Sequence, residues 1–389
     1  MSILRSPQFS AIALVVAAVL GLTVANSPLS PAVSDLVGSH LPFPVLGLDL
    51  SLGHFVTDGL LAVFFFIAAV ELKHELRHGE LDSPAKALVP TAAAVGGVVV
   101  PAALFLLLVR EPGLSDGWPI PTATDIAFAL GILALVGRSL PSRIRALLLA
   151  LAVIDDLIAI VIIAVFFAGD LQPLALIAAV PLIALFGWLS YRLHTESRMR
   201  WLVGPAMVLL AIAAWLLVAL SGVHPTIAGV ALGLALSSRA GVRIRHAIEP
   251  WSNTVILPVF AFVATLVTIP DVSRTPLGPV FWAIVVALPV GKLIGITVGA
   301  LAASAATRAD RTNRLPLGDL LVIASLGGIG FTVSLLMNEL AFESSPQVAT
   351  EGTLGVLGAS LIAVVIGGSV GALRSRWYRT RAAGTALRL

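Results

Sequence analysis

Between Arg145 and Asp170 the chain carries only two charges, the adjacent carboxylates of Ala152-Val-Ile154-Asp155-Asp156-Leu157. The rest of that stretch is aliphatic, and it is long enough to cross a bilayer as a helix. At about 1.5 Å rise per residue, Asp155 lies roughly 15 Å from Arg145, halfway through a ~30 Å hydrocarbon core. A charge at that depth costs about 2.5–3.5 kcal/mol on insertion scales. A stable helix does not need such residues. Either they are neutral or paired structural acids, or they form an ion or proton site, and the rarity of acids at that depth favours the site.

The same kind of run recurs along all 389 residues, of which 58% are hydrophobic and 12% charged. Soluble domains carry about 25% charged residues, so this is an all-α polytopic membrane protein. Cysteine is absent, which excludes disulfides, thiolate metal sites and cysteine nucleophiles. The first run, after Arg5, loosely resembles a signal peptide, but the loop that follows it holds no Lys or Arg. It is read as a span. Twelve spans result: 9–27, 54–76, 87–109, 118–137, 144–168, 172–192, 201–220, 222–238, 248–269, 279–305, 318–341 and 352–373. The stretch about 43–53, broken by Gly, Pro and Asp, reads as a small external hairpin.

Basic residues test the topology. The loops that join odd to even spans hold Arg110 and Arg274, and Lys292 lies within span 10. The other 21 of 24 Lys and Arg lie at the N-terminus, in or beside the even-to-odd loops, or after span 12. The positive-inside rule therefore predicts cytoplasmic ends for both termini. Because the net charge of +3 follows topology, it does not point to nucleic acid.

Two spans look interrupted. Span 4 opens Trp118-Pro-Ile-Pro121-Thr-Ala-Thr124-Asp125, where two prolines remove donors and Thr124-Asp125 resembles a helix cap. Span 11 contains Gly327, Gly328 and Gly330 at mid-depth, which either open the backbone or permit close packing. Interruptions at matching places point to an inverted-repeat transporter with its site where the broken helices 4 and 11 cross at the midplane.

Asp125 and Lys292 join Asp155 and Asp156 as deep ionisable residues. Adjacent helical residues point about 100° apart, so one aspartate is expected to pair with Lys292 while the other faces a cavity. Asp125 suits either a helix dipole or a cation, and Thr124 offers a hydroxyl or a cap. The seven His are scattered, which argues against a transition-metal site. His224, beside Pro225, reads as a loop histidine that could titrate. Glu71, His74, Glu75, Arg245, His246 and Glu249 read either as interface charges or as a titrating group at a cytoplasmic funnel.

These motifs resemble the NhaA family of sodium/proton antiporters over nearly the whole chain. The likeness rests on Ala123-Thr-Asp-Ile-Ala-Phe-Ala-Leu-Gly131, Ala152-Val-Ile-Asp-Asp-Leu157, Gly327-Gly-Ile-Gly-Phe-Thr332, Leu257-Pro-Val-Phe-Ala-Phe262, Ser221-Gly-Val-His224, and Ala62-Val-Phe-Phe65 leading to Glu71-Leu-Lys-His-Glu75. The resemblance implies a single transporter domain over 1–389. Inverted repeats of spans 3–5 and 10–12 form its core, spans 1–2 and 6–9 its interface part, and the hairpin a homodimer contact. It also implies Asp156 as the main carboxylate exchanging Na⁺ or Li⁺ for protons, with Asp155 paired to Lys292 or joining the Na⁺ site. Asp125 and Thr124 fall at the crossing, Glu71 at the cytoplasmic entrance, and His224 in pH response. The chain departs from the family's pattern at Arg245 (an acid there), Glu249 (a histidine there) and Ala264 (often Asn). These changes bear on the pH set-point.

The expected function is electrogenic Na⁺(Li⁺)/H⁺ antiport across the inner membrane, serving pH and sodium homeostasis. No cofactor and no enzymatic activity are expected; the partners are Na⁺, H⁺, the lipid bilayer and a second copy of the chain. Two alternatives are a sodium-coupled symporter of the same broken-helix fold and an intramembrane aspartyl hydrolase. Against the second, Asp155 and Asp156 diverge around one helix and no Gly-x-Gly-Asp segment occurs.

Overall fold

The computed structural model describes residues 6–40, 51–79, 81–192, 200–270, 276–306 and 315–386. Among these the chain is helical, with no strand beyond one isolated antiparallel bridge between His40 and Ser51. That bridge flanks the expected hairpin, of which residues 43–50 lie outside the described residues.

The helices are α1 (Pro7–Ala25), α2 (Ser30–Gly38), α3 (Leu52–His78), α4 (Pro84–Leu108), α5 (Ile126–Val136), α6 (Ser142–Phe166), α7 (Pro173–Arg192), α8 (Arg200–Leu220), α9 (Thr226–Ala235), α10 (Ser238–Ala264), α11 (Pro279–Ala306), α12 (Leu317–Gly327), α13 (Phe331–Ala341) and α14 (Pro346–Ala386). Two 3₁₀ turns, Ser115–Gly117 and Ile120–Thr122, lead into α5. Among the described residues, ten helical segments are long and apolar enough to cross a membrane, counting Ser115–Val136 as one; the pair α12 and α13, bent by 45°, makes an eleventh. Bilayer-length apolar helices in this number make the chain a multi-pass membrane protein.

Three spans and one short helix differ from the sequence reading. Span 8, expected over 222–238, contracts to the ten residues of α9, because Gly222 takes a left-handed turn (φ 78°) and the chain turns on through His224-Pro225. A Cβ at Gly222 would lie 2.3 Å from the Asp170 carbonyl oxygen, so the turn needs glycine. Span 9, expected from 248, begins at Ser238. Arg239, Arg243, Arg245, His246 and Glu249 are helical, with Ala240 and Gly241 buried on the other side. An amphipathic first turn reads as loop when hydropathy alone is followed. Span 12, expected over 352–373, lies within a helix of 41 residues that continues at both ends into polar sequence. The short helix α2, which buries no residue, was not expected.

The chain divides into two compact units. The first comprises Met1–Val16, Glu80–Ala159 and Val267–Leu389; the second comprises Ala17–Gly79 and Ile160–Leu266. Inside the first, α4 and α11 meet backbone to backbone. A Cβ on Gly96 would come within 2.2 Å of the Gly295 carbonyl oxygen, and one on Gly299 within 2.1 Å of that of Ala92. Small residues allow this approach where lipid offers no hydrophobic drive between helices. It fixes α11, and with it Lys292, which directly follows a π-helical turn over Ala287–Gly291 containing Pro289. In the second unit, Phe66, Phe186, Met207 and Leu232 join a core made by α3, α7, α8 and α9.

Candidate functional site

The interruption of span 4 starts with chemistry. Pro119 and Pro121 carry no N–H, so the helix tightens to a 3₁₀ turn and the backbone leaves it at Ala123 (ψ 155°). Asp125 restarts the helix, its Oδ1 accepting from the Phe128 N–H at 2.9 Å. Span 11 ends its first half at Gly327 and resumes at Phe331.

The two interruptions are hydrogen-bonded to one another. The Asp125 N–H donates to the Ile329 carbonyl (2.7 Å) and the Thr124 hydroxyl to the Gly327 carbonyl (2.8 Å). Asp125 Oδ2 accepts from the Thr332 hydroxyl (2.7 Å) and N–H (3.2 Å). One buried aspartate therefore caps two helix N-termini, α5 through one oxygen and α13 through the other. Both ends of partial positive charge are met by one carboxylate. Two further side chains complete the joint: Ser360 Oγ accepts from the Phe331 N–H (3.1 Å), and Ser334 Oγ donates to the Ile120 carbonyl (2.7 Å). At Gly330 a Cβ would stand 3.1 Å from the Ala123 carbonyl oxygen and 2.2 Å from Ser334 Oγ.

Beside this joint, Lys292 Nζ donates to Asp155 Oδ2 at 2.6 Å, and neither side chain has any exposure. Taking two such charges out of water costs several kcal/mol per ion, which close pairing must offset. Oδ1 of Asp155 is also buried yet accepts no hydrogen bond. Thr124 lies close enough to influence the Asp155 carboxylate, but its single O–H is committed to Gly327. Asp156 is equally buried, one residue on around α6. The site thus brings together Asp155, Lys292, Thr124, Asp125, Gly327 and Thr332, with Asp156 on the adjoining face of α6. No three His, Asp or Glu side chains converge as a metal-holding group among the described residues.

The second unit holds a different charged group. Arg245 on α10 bridges Glu71 of α3 (3.3 Å) and Glu249 one turn along its own helix (3.2 Å). These side chains keep 20%, 14% and 33% of their exposure. His246, His74 and Lys73 line a cavity of about 170 Å³ next to Arg245. Glu75 is buried one turn beyond Glu71. Lys73 Nζ donates to the carbonyls of Leu234 (2.6 Å) and Leu236 (2.7 Å), closing the end of α9.

His224 does not join this group. Its Nδ1 lies 2.7 Å from Thr226 Oγ1 and its Nε2 3.5 Å from Asp58 Oδ1. Asp58 and Glu71 are thirteen residues apart on α3, about 20 Å along the axis. Burial pushes the His224 imidazole down to about 4 from the ordinary 6.5.

One buried carboxylate escaped the sequence reading. Asp319, fully buried in the first turn of α12, accepts from Arg143 (2.9 Å), Arg374 (2.7 Å) and the Tyr378 hydroxyl (2.8 Å). Its partners lie 176, 55 and 59 residues away, so no local spacing announces the group; an acid inside the first turn of a span was the only signal.

A multi-pass helical bundle with paired charges buried beside two interrupted spans points to the class of membrane transport proteins. Sequence comparison gives the particular family. The chain belongs to the family described as Na+/H+ antiporter 1, whose profile matches residues 1–370. It is 52% identical over 389 residues to Na(+)/H(+) antiporter NhaA 2 of Clavibacter michiganensis, covering 99% of this chain and 94% of that protein. It is 46% identical to Na(+)/H(+) antiporter NhaA of Tropheryma whipplei, over 94% of each chain. Against the protein of that name from Streptomyces avermitilis it is 44% identical, over 97% of this chain and 82% of the relative.

Proposed function

We propose that this protein exchanges Na⁺, or Li⁺, for protons across a cell membrane, electrogenically and by alternating access, in the service of pH and sodium homeostasis. The observation that carries the reading is the buried Asp155–Lys292 pair lying beside two hydrogen-bonded helix interruptions. Family membership and the relatives' names support the same exchange.

The chemistry follows from competition. A deprotonated carboxylate in a low-dielectric site attracts either a proton or a small hard cation, and occupancy by one disfavours the other. Asp156 serves as the exchanging carboxylate. Asp155 contributes Oδ1, a buried oxygen to which no donor is directed, while its Oδ2 holds Lys292. Drawing Asp155 toward the cation weakens its hold on Lys292, whose desolvated ammonium then favours releasing a proton. Asp125 and Thr124 position the joint, and both Asp125 oxygens already accept hydrogen bonds there. Na⁺ is cargo in this scheme, and no resident cofactor is required.

The wider reading places the chain in the inner membrane as twelve spans, with both termini cytoplasmic. Spans 3–5 and 10–12 are inverted repeats whose broken helices 4 and 11 cross at the midplane. Support comes from the first compact unit, which gathers residues 80–159 and 267–389. The second unit supplies the interface part, and the hairpin joins two copies. Glu71, Glu75, His246 and Glu249 form the cytoplasmic entrance, and His224 contributes to pH response from a separate place.

The test is proton movement in proteoliposomes, followed by fluorescence dequenching across pH with Na⁺, Li⁺ and K⁺ in turn. Na⁺ and Li⁺ should release protons without any organic solute, faster as pH rises, and K⁺ should not. Asp156→Asn should abolish the signal in a protein that still melts cooperatively. Near-normal exchange by that variant would remove Asp156 from its role.

A further inference from the structure

From Gly352 to Leu373 the last helix carries no ionisable residue, a stretch about 33 Å long that matches the hydrocarbon core. The helix then continues without a break through Arg374-Ser-Arg376-Trp-Tyr-Arg379-Thr-Arg381. Those four arginines therefore emerge at headgroup depth.

Tertiary structure adds more guanidinium groups from elsewhere in the chain. The Ser139 N–H donates to Ser375 Oγ at 3.3 Å, which lays the turn before α6 against this part of α14 and brings exposed Arg138 to it. Arg143, in the first turn of α6, reaches the same place through Asp319, which it shares with Arg374. Six arginines from two segments more than 200 residues apart thus gather at one end of the first unit. The only carboxylate in the three contributing segments (137–145, 317–327 and 374–381) is Asp319, and that is buried beneath them.

Two of the arginines are held in place by a ring. The Arg374 guanidinium lies 3.9 Å from the Trp377 ring and that of Arg381 4.0 Å from it. Stacking of this kind removes rotamer freedom before any ligand arrives. Arg376 and Arg379, three residues apart on one face of α14, are exposed. Planar guanidinium donors suit phosphate oxygens, and a cluster of basic residues directly after a span suits an anionic leaflet.

We propose that this arginine cluster is a binding site for the phosphate headgroup of an anionic phospholipid, with Arg376 and Arg379 as its exposed contacts. Bound lipid would then neutralise a surface that is tied through Asp319 to α12 and, through Arg143, to the helix bearing Asp155 and Asp156.

The test uses the full-length protein in an uncharged detergent, titrated with dioleoylphosphatidylglycerol, dioleoylphosphatidylcholine or soluble glycerol phosphate while thermal melting is followed. Phosphatidylglycerol should raise the melting temperature saturably, and the other two should not. Arg376→Gln with Arg379→Gln should weaken the apparent affinity for phosphatidylglycerol by about fivefold per arginine removed. Its melting temperature without lipid should match that of the parent protein. If that variant melts early, Arg376→Lys with Arg379→Lys is read in its place. Keeping both charges, it should retain the stabilisation by phosphatidylglycerol over phosphatidylcholine, though more weakly, because a lysine offers no bidentate fork. Equal stabilisation by phosphatidylcholine or by glycerol phosphate, an undiminished affinity in the glutamine variant, or loss of the preference in the lysine variant would each overturn the proposal.

Discussion

Two charged groups of this protein set a base against acids under opposite conditions. In the first unit one lysine meets one aspartate at 2.6 Å with both side chains wholly buried. In the second, one arginine is shared between two glutamates at 3.2–3.3 Å, and every partner keeps some exposure. Partial solvation screens the second group, most of all at Glu249, where the pair contributes little to stability. The first has no such reserve: each charge depends on the other, and a change in protonation is at once a change in structural energy. Burial, more than composition, separates a pair in which each charge depends on the other from a group that solvent can screen.

The contrast can be broken experimentally. Its largest consequence is the loss of all cation-driven proton movement in Asp156→Asn. Next, Lys292→Ala strands a buried carboxylate and should cost about 3–5 kcal/mol, read as a large drop in melting temperature. An unchanged melting curve would contradict the pairing argument.

His224 supplies a pH test of burial by itself. Its folded pKa of about 4 lies below the ordinary 6.5, so the unfolded chain binds the proton first as pH falls. The stability contributed by the neutral imidazole is complete above pH 6.5 and is lost between 6.5 and 4, up to about 3 kcal/mol in all. Melting temperatures of His224→Gln should show a shallower slope over that window; an identical slope would remove His224 as its source.

Asp125→Ala removes two caps and should cost about 2 kcal/mol. If the loss matched that of a single cap, the double role of this side chain would fail. At the small end, Glu249→Gln should change stability by less than about 1 kcal/mol, since the pair it breaks is partly solvated. On the proposed function, its effect should fall in the pH profile of transport. A large thermal loss there would erase the distinction between the two groups.

The balance between local and distant information is visible in particular residues. That only one of the adjacent aspartates pairs with Lys292 was legible in advance, since a helix turns about 100° per residue. Helix geometry alone did not say which one; the family resemblance offered Asp155 for that pair or for the Na⁺ site, and the register of α6 against α11 gives it Lys292. The double capping by Asp125 was half legible: Thr124-Asp125 announces a cap for its own helix but says nothing of α13, two hundred residues on. The start of α10 was misplaced, since its first turns are amphipathic and their apolar face is recognisable only once Val70 and Leu236 lie against it. Asp319 was missed because all three of its donors come from other helices.

The sequence by itself determined that this chain crosses a membrane many times and carries acids and a lysine within its apolar spans. Span length and the cost of a charge in hydrocarbon are properties of a segment and its solvent, with no reference to neighbours. Only the tertiary structure decided that Asp155 takes Lys292, that one carboxylate closes two helices, and that six arginines meet at one end. Each of these depends on side chains reaching across packed helices over a few ångströms, a distance set by how whole helices seat against one another.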